Sequence, residues 1–515
     1  MSTPAEEAPS LVDLLDARAK ASPDHTLLVD EEGRRMTCAE LRHGSIHVAE
    51  RLAVAGIGPN SLVSWVLPTA IDTLVVTAAL SRLGAMQNPI IPVYREREIG
   101  HILDETSVDL MIVTPQWRGV DYRALCSNLA AARGGRPLVF TLEQVVHEAI
   151  PLPAVGPGAD HEDLAPAQWM FYTSGTAGLP KGVRHTDGTL AAAAAGMVDH
   201  LAITEDDRSG IAFPIAHIGG PINLMAGLLS GATLILIEHF DPEPTASVLA
   251  REGVTMAGSG TAFHLAYLDV QAGRPDAPIF PVLRCCPGGG APKPAGLHER
   301  VKRELGGCGI VSSWGLTEAP VLTMGRPTDP DAKLSESEGR PLPGVDLRVV
   351  AAGGRPCRAG EPGELRVRAP QVMLGYVDRS LDGDAFDEEG FMRTGDLGVV
   401  DAEDFVRITG RLKDVVIRNG ENIATAEVEE LVRGHPAIAD AAVIGLLDER
   451  TGERVCAVVE LVPGTTAPTL SALGEFLKGK GLRPIAWPEQ LEVVVALPRT
   501  VTGKIDKGEL AGRFG

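Results

Sequence analysis

With 515 residues the chain exceeds one ordinary compact core, so two or more domains are expected. A hydrophobic content of 44% and a charged content of 22% describe a soluble globular protein, and a formal charge of −21 argues against a nucleic-acid binder, which needs a basic face. Cys38, Cys126, Cys285, Cys286, Cys308, Cys357 and Cys456 show no Cys-x-x-Cys spacing, which argues against a zinc site or disulfide framework and for a reducing cytoplasm. The acidic start, Met-Ser-Thr-Pro-Ala-Glu-Glu-Ala, lacks the apolar core of a signal peptide. The longest apolar stretch, 224–237, contains Ser230 and two glycines and falls short of a membrane span, so no transmembrane segment is expected.

Residues 10–55 predict an amphipathic helix (Leu11, Leu14, Leu15, Ala19), a hairpin through Glu31-Glu32-Gly33 and a second helix from Thr37. From 60 to 150, apolar strands at 62–67, 110–113 and 137–141 alternate with helical patterns such as 70–83, which indicates a parallel α/β sheet. A Pro-, Gly- and Asp-rich linker at 151–166 leads into the run from Trp169 to Val183. Beyond it, a helix at 189–201, a strand at 211–214, a helix at 222–229 and a strand at 233–237 repeat the alternation, which continues to strands at 282–285 and 309–312. From 345 to 368 the pattern changes to hairpins turning at Gly353-Gly354 and Gly360–Gly363. After Arg411 a small unit follows, with a hairpin at Asn419-Gly420, helices at 426–433 and 470–478, and strands at 441–446 and 455–461.

The run Trp169-Met170-Phe171-Tyr172 reads as a strand buried on both faces, and it feeds a loop of glycines and hydroxyls ending in Pro180-Lys181-Gly182. Such a loop suits a polyphosphate: Gly175 and Gly178 admit close approach of backbone N–H groups, Thr173, Ser174 and Thr176 can donate, and Lys181 adds charge. A Walker A loop is excluded by spacing, because Pro180 and Gly182 stand where that motif needs Gly before and Ser or Thr after the lysine.

The segment resembles the Y-T-S-G-T-T-G-x-P-K-G phosphate loop of AMP-forming acyl-CoA synthetases and their adenylate-forming relatives. Every position matches except Ala177, which stands where the family has a second hydroxyl. One hydroxyl bond to a charged partner is worth about 1.5–3 kcal/mol, so slower turnover rather than lost activity is expected. Further motifs carry the resemblance in family order. In Ile211-Ala212-Phe213-Pro214-Ile215-Ala216-His217-Ile218-Gly219-Gly220, the run alone reads as a core strand with a satisfied histidine; the resemblance makes His217 the group that closes the acyl pocket. The absence of a carboxylate there disfavours an amino acid substrate. In Pro287-Gly288-Gly289-Gly290-Ala291-Pro292, read alone as a strand-to-helix turn, the resemblance assigns Gly289, Gly290, Ala291 and Pro292 to the adenine cleft.

Ser313-Trp314-Gly315-Leu316-Thr317-Glu318 is similar to the family's Y-G-x-T-E, with Trp314 replacing Tyr. Its Ser313, Trp314 and Gly315 would border the nucleotide, Thr317 would meet the α-phosphate, and Glu318 would hold Mg²⁺, a hard ion suited to one carboxylate plus phosphates. Read alone, Thr317 is an ordinary helix N-cap. Asp396 and Arg411 match the ribose contacts, and Lys413 the hinge residue. Asn419-Gly420-Glu421-Asn422-Ile423 resembles the G-E-N-I hairpin that lines the pantetheine channel. Lys504, in Pro498-Arg499-Thr500-Val501-Thr502-Gly503-Lys504, matches the lysine that bridges the carboxylate and the α-phosphate.

The resemblance implies an α/β fold: a large N-terminal domain of several subdomains with mixed and parallel sheets (1–410), plus a small mobile α+β C-terminal domain (411–515). It implies an acid–CoA ligase that uses ATP, Mg²⁺ and coenzyme A on a small-molecule carboxylic acid. An acyl pocket of His217, Gly219, Gly220, Ser259, Gly260 and Gly288, lined by small residues, suggests a medium-chain, alicyclic or aromatic acid. The alternatives are an adenylating enzyme that loads a separate carrier protein, the eleven residues after Lys504 leaving no space for a fused one, and a non-catalytic ligand-binding protein of the same fold. A homo-oligomer is compatible with the sequence.

Overall fold

The computed structural model describes residues 8–148, 151–156, 161–173, 180–290, 293–418, 421–448, 450–500 and 504–515. The chain divides into two compact units: Met1–Asp346 with Arg368–Met392, and Leu347–Val367 with Arg393–Gly515.

In the first unit the opening helix Leu11–Ala21 is set by Ser10, which accepts from the Asp13 N–H while Asp13 reaches back to the Ser10 N–H. The same capping box, Thr37 with Glu40, starts the helix Cys38–Val54. Between them Thr26–Val29 and Arg35–Thr37 pair as the expected hairpin.

A seven-stranded sheet organises this unit, in the order Gly375–Tyr376, Lys181–His185, Trp169–Thr173, Met86–Pro89, Leu62–Val66, Leu110–Val113, Leu138–Thr141. The last five pair in parallel, and the first two add antiparallel, so the sheet is mixed. Strand alternation explains its two cores. Val63, Trp65, Leu110, Ile112, Trp169 and Phe171 face one hydrophobic cluster, which includes the helix Ile71–Arg82. Leu62, Val66, Met111, Val113, Met170 and Tyr172 face another, with the helices Glu96–Thr106 and Tyr122–Ala131. Covered on both faces, the strands carry the continuous apolar runs visible in the sequence.

Met86–Pro89 escaped the hydrophobic pattern because its middle residues are polar. Gln87 is buried and satisfied by the Thr77 carbonyl (3.1 Å), Ser81 Oγ (2.9 Å) and Trp65 Nε1 (3.3 Å), while Asn88 donates to Ser64 Oγ (3.0 Å). Two other strands lie off their expected places. The strand expected at 211–214 is Arg208–Ile211, after which the chain turns. The one expected at 282–285 is Cys286–Gly289. Val282 is 57% exposed in a turn, and regular pairing starts only where Cys286 meets Ile310.

The second unit contains a four-stranded sheet in the order Asp346–Val350, Gly363–Arg368, Met392–Val400, Val406–Arg411. It also contains a five-stranded sheet of Glu421–Ala424, Val415–Arg418, Gly452–Leu461, Ile438–Asp448 and Gln490–Val494. Along Ile438–Asp448 the alternation again splits the core. Ala441 and Val443 share a cluster with the helices Thr425–Arg433 and Leu470–Gly479, and Ala442, Ile444 and Leu446 share one with the terminal helix Lys507–Phe514.

Candidate active site

The strands Trp169–Thr173 and Lys181–His185 form an antiparallel ladder in which Thr173 faces Lys181. The two shoulders of the expected phosphate loop are therefore held side by side. Ser174, Gly175, Thr176 and Gly178 lie outside the described residues. Lys181 is exposed, with its Nζ 5.7 Å from the centroid of the Tyr376 ring. At the other end of the same strand His185 is buried. Burial pushes its pKa down to about 4 against the opposing pull of the Thr317 carbonyl. The ring is thus neutral: Nε2–H donates to that carbonyl (2.8 Å), and Nδ1 accepts from Thr189 Oγ1 (2.9 Å).

Thr317 and Glu318 occupy a two-residue turn between Ile310–Leu316 and Ala319–Met324, with Leu316 paired to Ala319. No helix follows, which removes the helix-cap reading of Thr317. The turn is held from three directions. His185 holds the Thr317 carbonyl, the Met373 N–H donates to the Glu318 carbonyl (2.8 Å), and the Tyr376 hydroxyl donates to Glu318 Oε1 (3.0 Å). Burial, and then the charge of Glu318, raise the Tyr376 pKa, so the phenol stays a donor.

Thr317 also lines a small cavity with Phe171, Tyr172, Ala216, His217 and Ile218, closed by Pro89, Ile91 and Tyr94 from the end of the polar strand. His217 is exposed and sits in a turn rather than a core strand. Its Nδ1 accepts from the Gly219 N–H (3.2 Å), and its ring stands edge-on to Phe213 at 6.4 Å.

The expected small residues of the acyl pocket have a packing reason of their own. A Cβ on Gly220 would lie 1.9 Å from the Ile215 oxygen, one on Gly288 2.9 Å from the His264 ring, and one on Gly289 2.6 Å from Ser313 Oγ. A Cβ on Gly219 would come 3.1 Å from the Phe213 ring, and one on Gly260 3.0 Å from the Gly289 oxygen. The loop at Ser259 and Gly260 therefore sits against the strand Cys286–Gly289, which pairs with Ile310–Leu316. Ser313 Oγ donates to the Gly288 carbonyl (3.0 Å), and Trp314 is 6% exposed. At Gly315 a Cβ would lie 2.4 Å from the Val321 nitrogen, so the hairpin needs glycine there. Gly290 has φ +75° and ends the strand; Ala291 and Pro292 lie outside the described residues.

In the second unit Asp396 faces Arg411 across an antiparallel ladder, and Arg411 Nε lies 2.9 Å from Asp396 Oδ1. The carboxylate is buried while the guanidinium side chain is 42% exposed. Lys504 is exposed, and its carbonyl accepts from the Thr500 N–H (2.6 Å). Lys507 ties the tail to the helix Thr425–Arg433, with its Nζ 2.9 Å from Thr425 Oγ1 and 2.7 Å from Glu429 Oε1. Asn419 and Gly420 lie outside the described residues, as do the side chains of Lys413 and Glu421.

The AMP-binding enzyme family matches residues 15–377, and the AMP-binding enzyme C-terminal domain matches residues 427–504. The chain belongs to the AMP-binding enzyme family. It is a member of the adenylate-forming acyl-CoA synthetase superfamily, ligases that form carbon–sulfur bonds. A medium-chain fatty-acid–CoA ligase of Escherichia coli (strain K12) is 30% identical over 519 residues, covering 97% of this chain and 89% of that protein. A salicyl-AMP ligase / salicyl-S-ArCP synthetase of Mycobacterium tuberculosis (strain ATCC 25618 / H37Rv) is 31% identical over 526 residues, covering 98% of this chain and 90% of that protein. Among solved structures, o-succinylbenzoate coenzyme A synthetase from Bacillus subtilis, in complex with ATP and magnesium ion, matches with a TM-score of 0.82. It is 27% identical and covers 96% of this chain and 98% of that one.

Among the described residues no group of three or more His, Cys, Asp or Glu side chains could cage a metal ion by itself. An AMP-binding enzyme needs no such cage, because one carboxylate beside bound phosphates is the donor set Mg²⁺ prefers, and Glu318 fits it. No described helix is long and apolar enough to cross a membrane. Sequence reading missed Tyr376 and His185, the two side chains that hold the Thr317-Glu318 turn. Tyr376 sits far along the chain in a two-residue strand with no periodic signal, and His185 looks like any strand residue until its partner is seen.

Proposed function

We propose that this protein is an AMP-forming acid–CoA ligase whose substrate is a medium-chain, alicyclic or aromatic carboxylic acid. The observation that carries this reading is the Thr317-Glu318 turn, which is held beside the phosphate hairpin and borders a small cavity with Phe171, Ala216 and Ile218. The acid's carboxylate attacks the α-phosphorus of ATP, giving an acyl adenylate and pyrophosphate. Thr173, Ser174, Gly175, Thr176, Gly178 and Lys181 clamp the departing phosphates, and Thr317 donates to the α-phosphate. Glu318 would hold Mg²⁺, which would supply charge neutralisation on the phosphates. Asp396 and Arg411 bind the ribose, and Gly289 to Pro292 with Ser313, Trp314 and Gly315 border the adenine. Lys504 offsets the charge that builds as the carboxylate oxygen meets phosphorus. In the second half-reaction the C-terminal domain, 411–515, turns about Lys413, withdraws Lys504 and brings Asn419, Gly420 and Glu421 to the pantetheine, and the CoA thiolate attacks the acyl carbon. Positioning supplies most of the rate, since phosphoryl chemistry asks little covalent help from protein.

Phe171, Ala216 and Ile218 at this cavity favour an acid whose acyl group is apolar. His217 at the cavity's rim closes on the reacting carboxylate, and the family resemblance adds Gly219, Gly220, Ser259, Gly260 and Gly288 to the acyl pocket. A cytoplasmic enzyme, alone or as a homo-oligomer, fits the reading. A second reading, transfer to a separate carrier protein, is favoured by the likeness to the salicyl-S-ArCP synthetase. Pyrophosphate release over a panel of carboxylic acids, with and without CoA, tests both. Acyl-CoA from medium-chain or aromatic acids is expected. Activation of acetate and propionate alone would remove the proposed acid class, and adenylate formation with no thioester from CoA would favour the carrier.

A further inference from the structure

The helix Glu96–Thr106 belongs to none of the motifs above, yet it touches both shoulders of the phosphate loop. Its Ile99, Ile102 and Leu103 are buried in the cluster on one face of the central sheet. His101 and Glu105 are four residues apart, which places them one turn above the other on the same helix face. Glu105 Oε2 accepts from the Tyr172 hydroxyl at 2.6 Å. His101 Nε2 lies 3.0 Å from the Pro180 carbonyl oxygen. A carbonyl only accepts, so this ring nitrogen carries the proton.

Tyr172 stands in the strand that enters the loop, and Pro180 is the residue from which the chain passes to Lys181. One helix face therefore grips the way in and the way out. The grip on the entry side is durable, because burial, and then the charge of Glu105, raise the Tyr172 pKa and keep the phenol a donor. The helix itself is tethered from behind. Arg133 Nε bonds Asp104 Oδ1 at 2.7 Å, and its guanidinium also donates to the Gly100 carbonyl at 2.9 Å. The neighbouring strands pair with this hairpin at Trp169 on one side and at Val183 and Arg184 on the other, away from the loop end where Thr173 faces Lys181. The two anchors, one helical turn apart, add restraint at the loop end itself.

We propose that His101 and Glu105 are positioning residues for the pyrophosphate half of the ATP site, fixing Tyr172 and Pro180 and with them the adjoining Thr173 and Lys181. The inference rests on the reading of 173–183 as the phosphate clamp, and its cost falls on nucleotide binding, not on the acid.

The test compares His101→Leu, His101→Gln, Tyr172→Phe and the His101→Leu/Tyr172→Phe double variant of the full chain. Direct ATP binding, KM for ATP and KM for the acid in pyrophosphate exchange, and melting temperature are measured for each. Losing one anchoring bond is expected to raise KM and Kd for ATP roughly five- to twentyfold while the acid KM and melting temperature hold. Gln carries an N–H near the place of Nε2, so His101→Gln should recover most of the loss. The double variant should lose less than the product of the single losses, since both anchors act on one loop end. An unchanged ATP constant in both His101→Leu and Tyr172→Phe would overturn the proposal, as would equal losses for ATP and acid, or a Gln variant as impaired as Leu. If His101→Leu does not fold, Tyr172→Phe carries the test alone by the same criteria. Lys181→Ala separates the underlying reading: if it leaves ATP binding intact, the clamp assignment fails, whatever His101 does.

Discussion

In the first unit, Thr317 and Glu318 sit in a tight turn whose backbone and carboxylate are held by His185, Met373 and Tyr376 from two other strand regions. In the second unit, Asp396 and Arg411 hold each other across a ladder, with the arginine side chain half in water, and Lys504 lies exposed near the end of the chain. The difference follows the chemistry proposed for each. Groups that meet the phosphates gain from being fixed before the nucleotide arrives, because reorganisation at the moment of reaction is costly. Lys504, the group withdrawn between half-reactions in the proposed reading, is instead exposed, near the end of the chain.

The sharpest way to break this contrast is Lys504→Ala. Removing a cation from a developing charge is expected to slow adenylation roughly 10²–10³-fold, while CoA transfer from a supplied acyl adenylate continues. Equal loss in both half-reactions would assign Lys504 to folding or to a shared step.

The tether on the first unit has a pH signature. His185 has a folded pKa of about 4 against 6.5 in the unfolded chain, a difference worth about 3 kcal/mol. The unfolded state binds the proton first, so this stability is complete above pH 6.5, falls as pH drops toward 4 and levels off below. Denaturant unfolding of wild type and His185→Gln should therefore show the advantage of wild type shrinking across that window. A constant difference would mean the ring is not a buried neutral donor.

For the second unit, Asp396→Asn removes the charge that pairs with Arg411 and that would accept the ribose hydroxyls. A roughly tenfold rise in KM for ATP is expected, with the acid KM unchanged. Substitution with no effect on nucleotide binding would detach this pair from the site. The smallest effect is Ala177→Thr, which should speed adenylation a fewfold, roughly one added hydroxyl bond, without altering acid preference. A changed acid preference would place the loop nearer the acyl group than the reading allows.

The sequence made the parallel core and the motif residues legible because both leave local signals. Strands buried on two faces read as apolar runs, as at 62–66 and 169–172, and the Thr317-Glu318 and Asp396 motifs are contiguous. What stayed hidden is non-local. Gln87 and Asn88 disguise a central strand because their partners, Trp65, Ser64 and Thr77, are known only after folding. Pro287, Gly288 and Gly289 look like a turn, yet they pair along Val311 to Ser313, and the crowding of His264 and Ser313 is what demands small residues there. Tyr376 meets Glu318 from 58 residues away, a distance over which no pattern reading operates.

Acid-dependent exchange of labelled pyrophosphate into ATP, run without CoA, tests the central claim most directly. The account predicts exchange with medium-chain or aromatic acids and loss of roughly two orders of magnitude in Glu318→Gln, whose backbone turn is still held by His185 and Met373. Binding of ATP without exchange for any acid, or exchange untouched by Glu318→Gln, would contradict it.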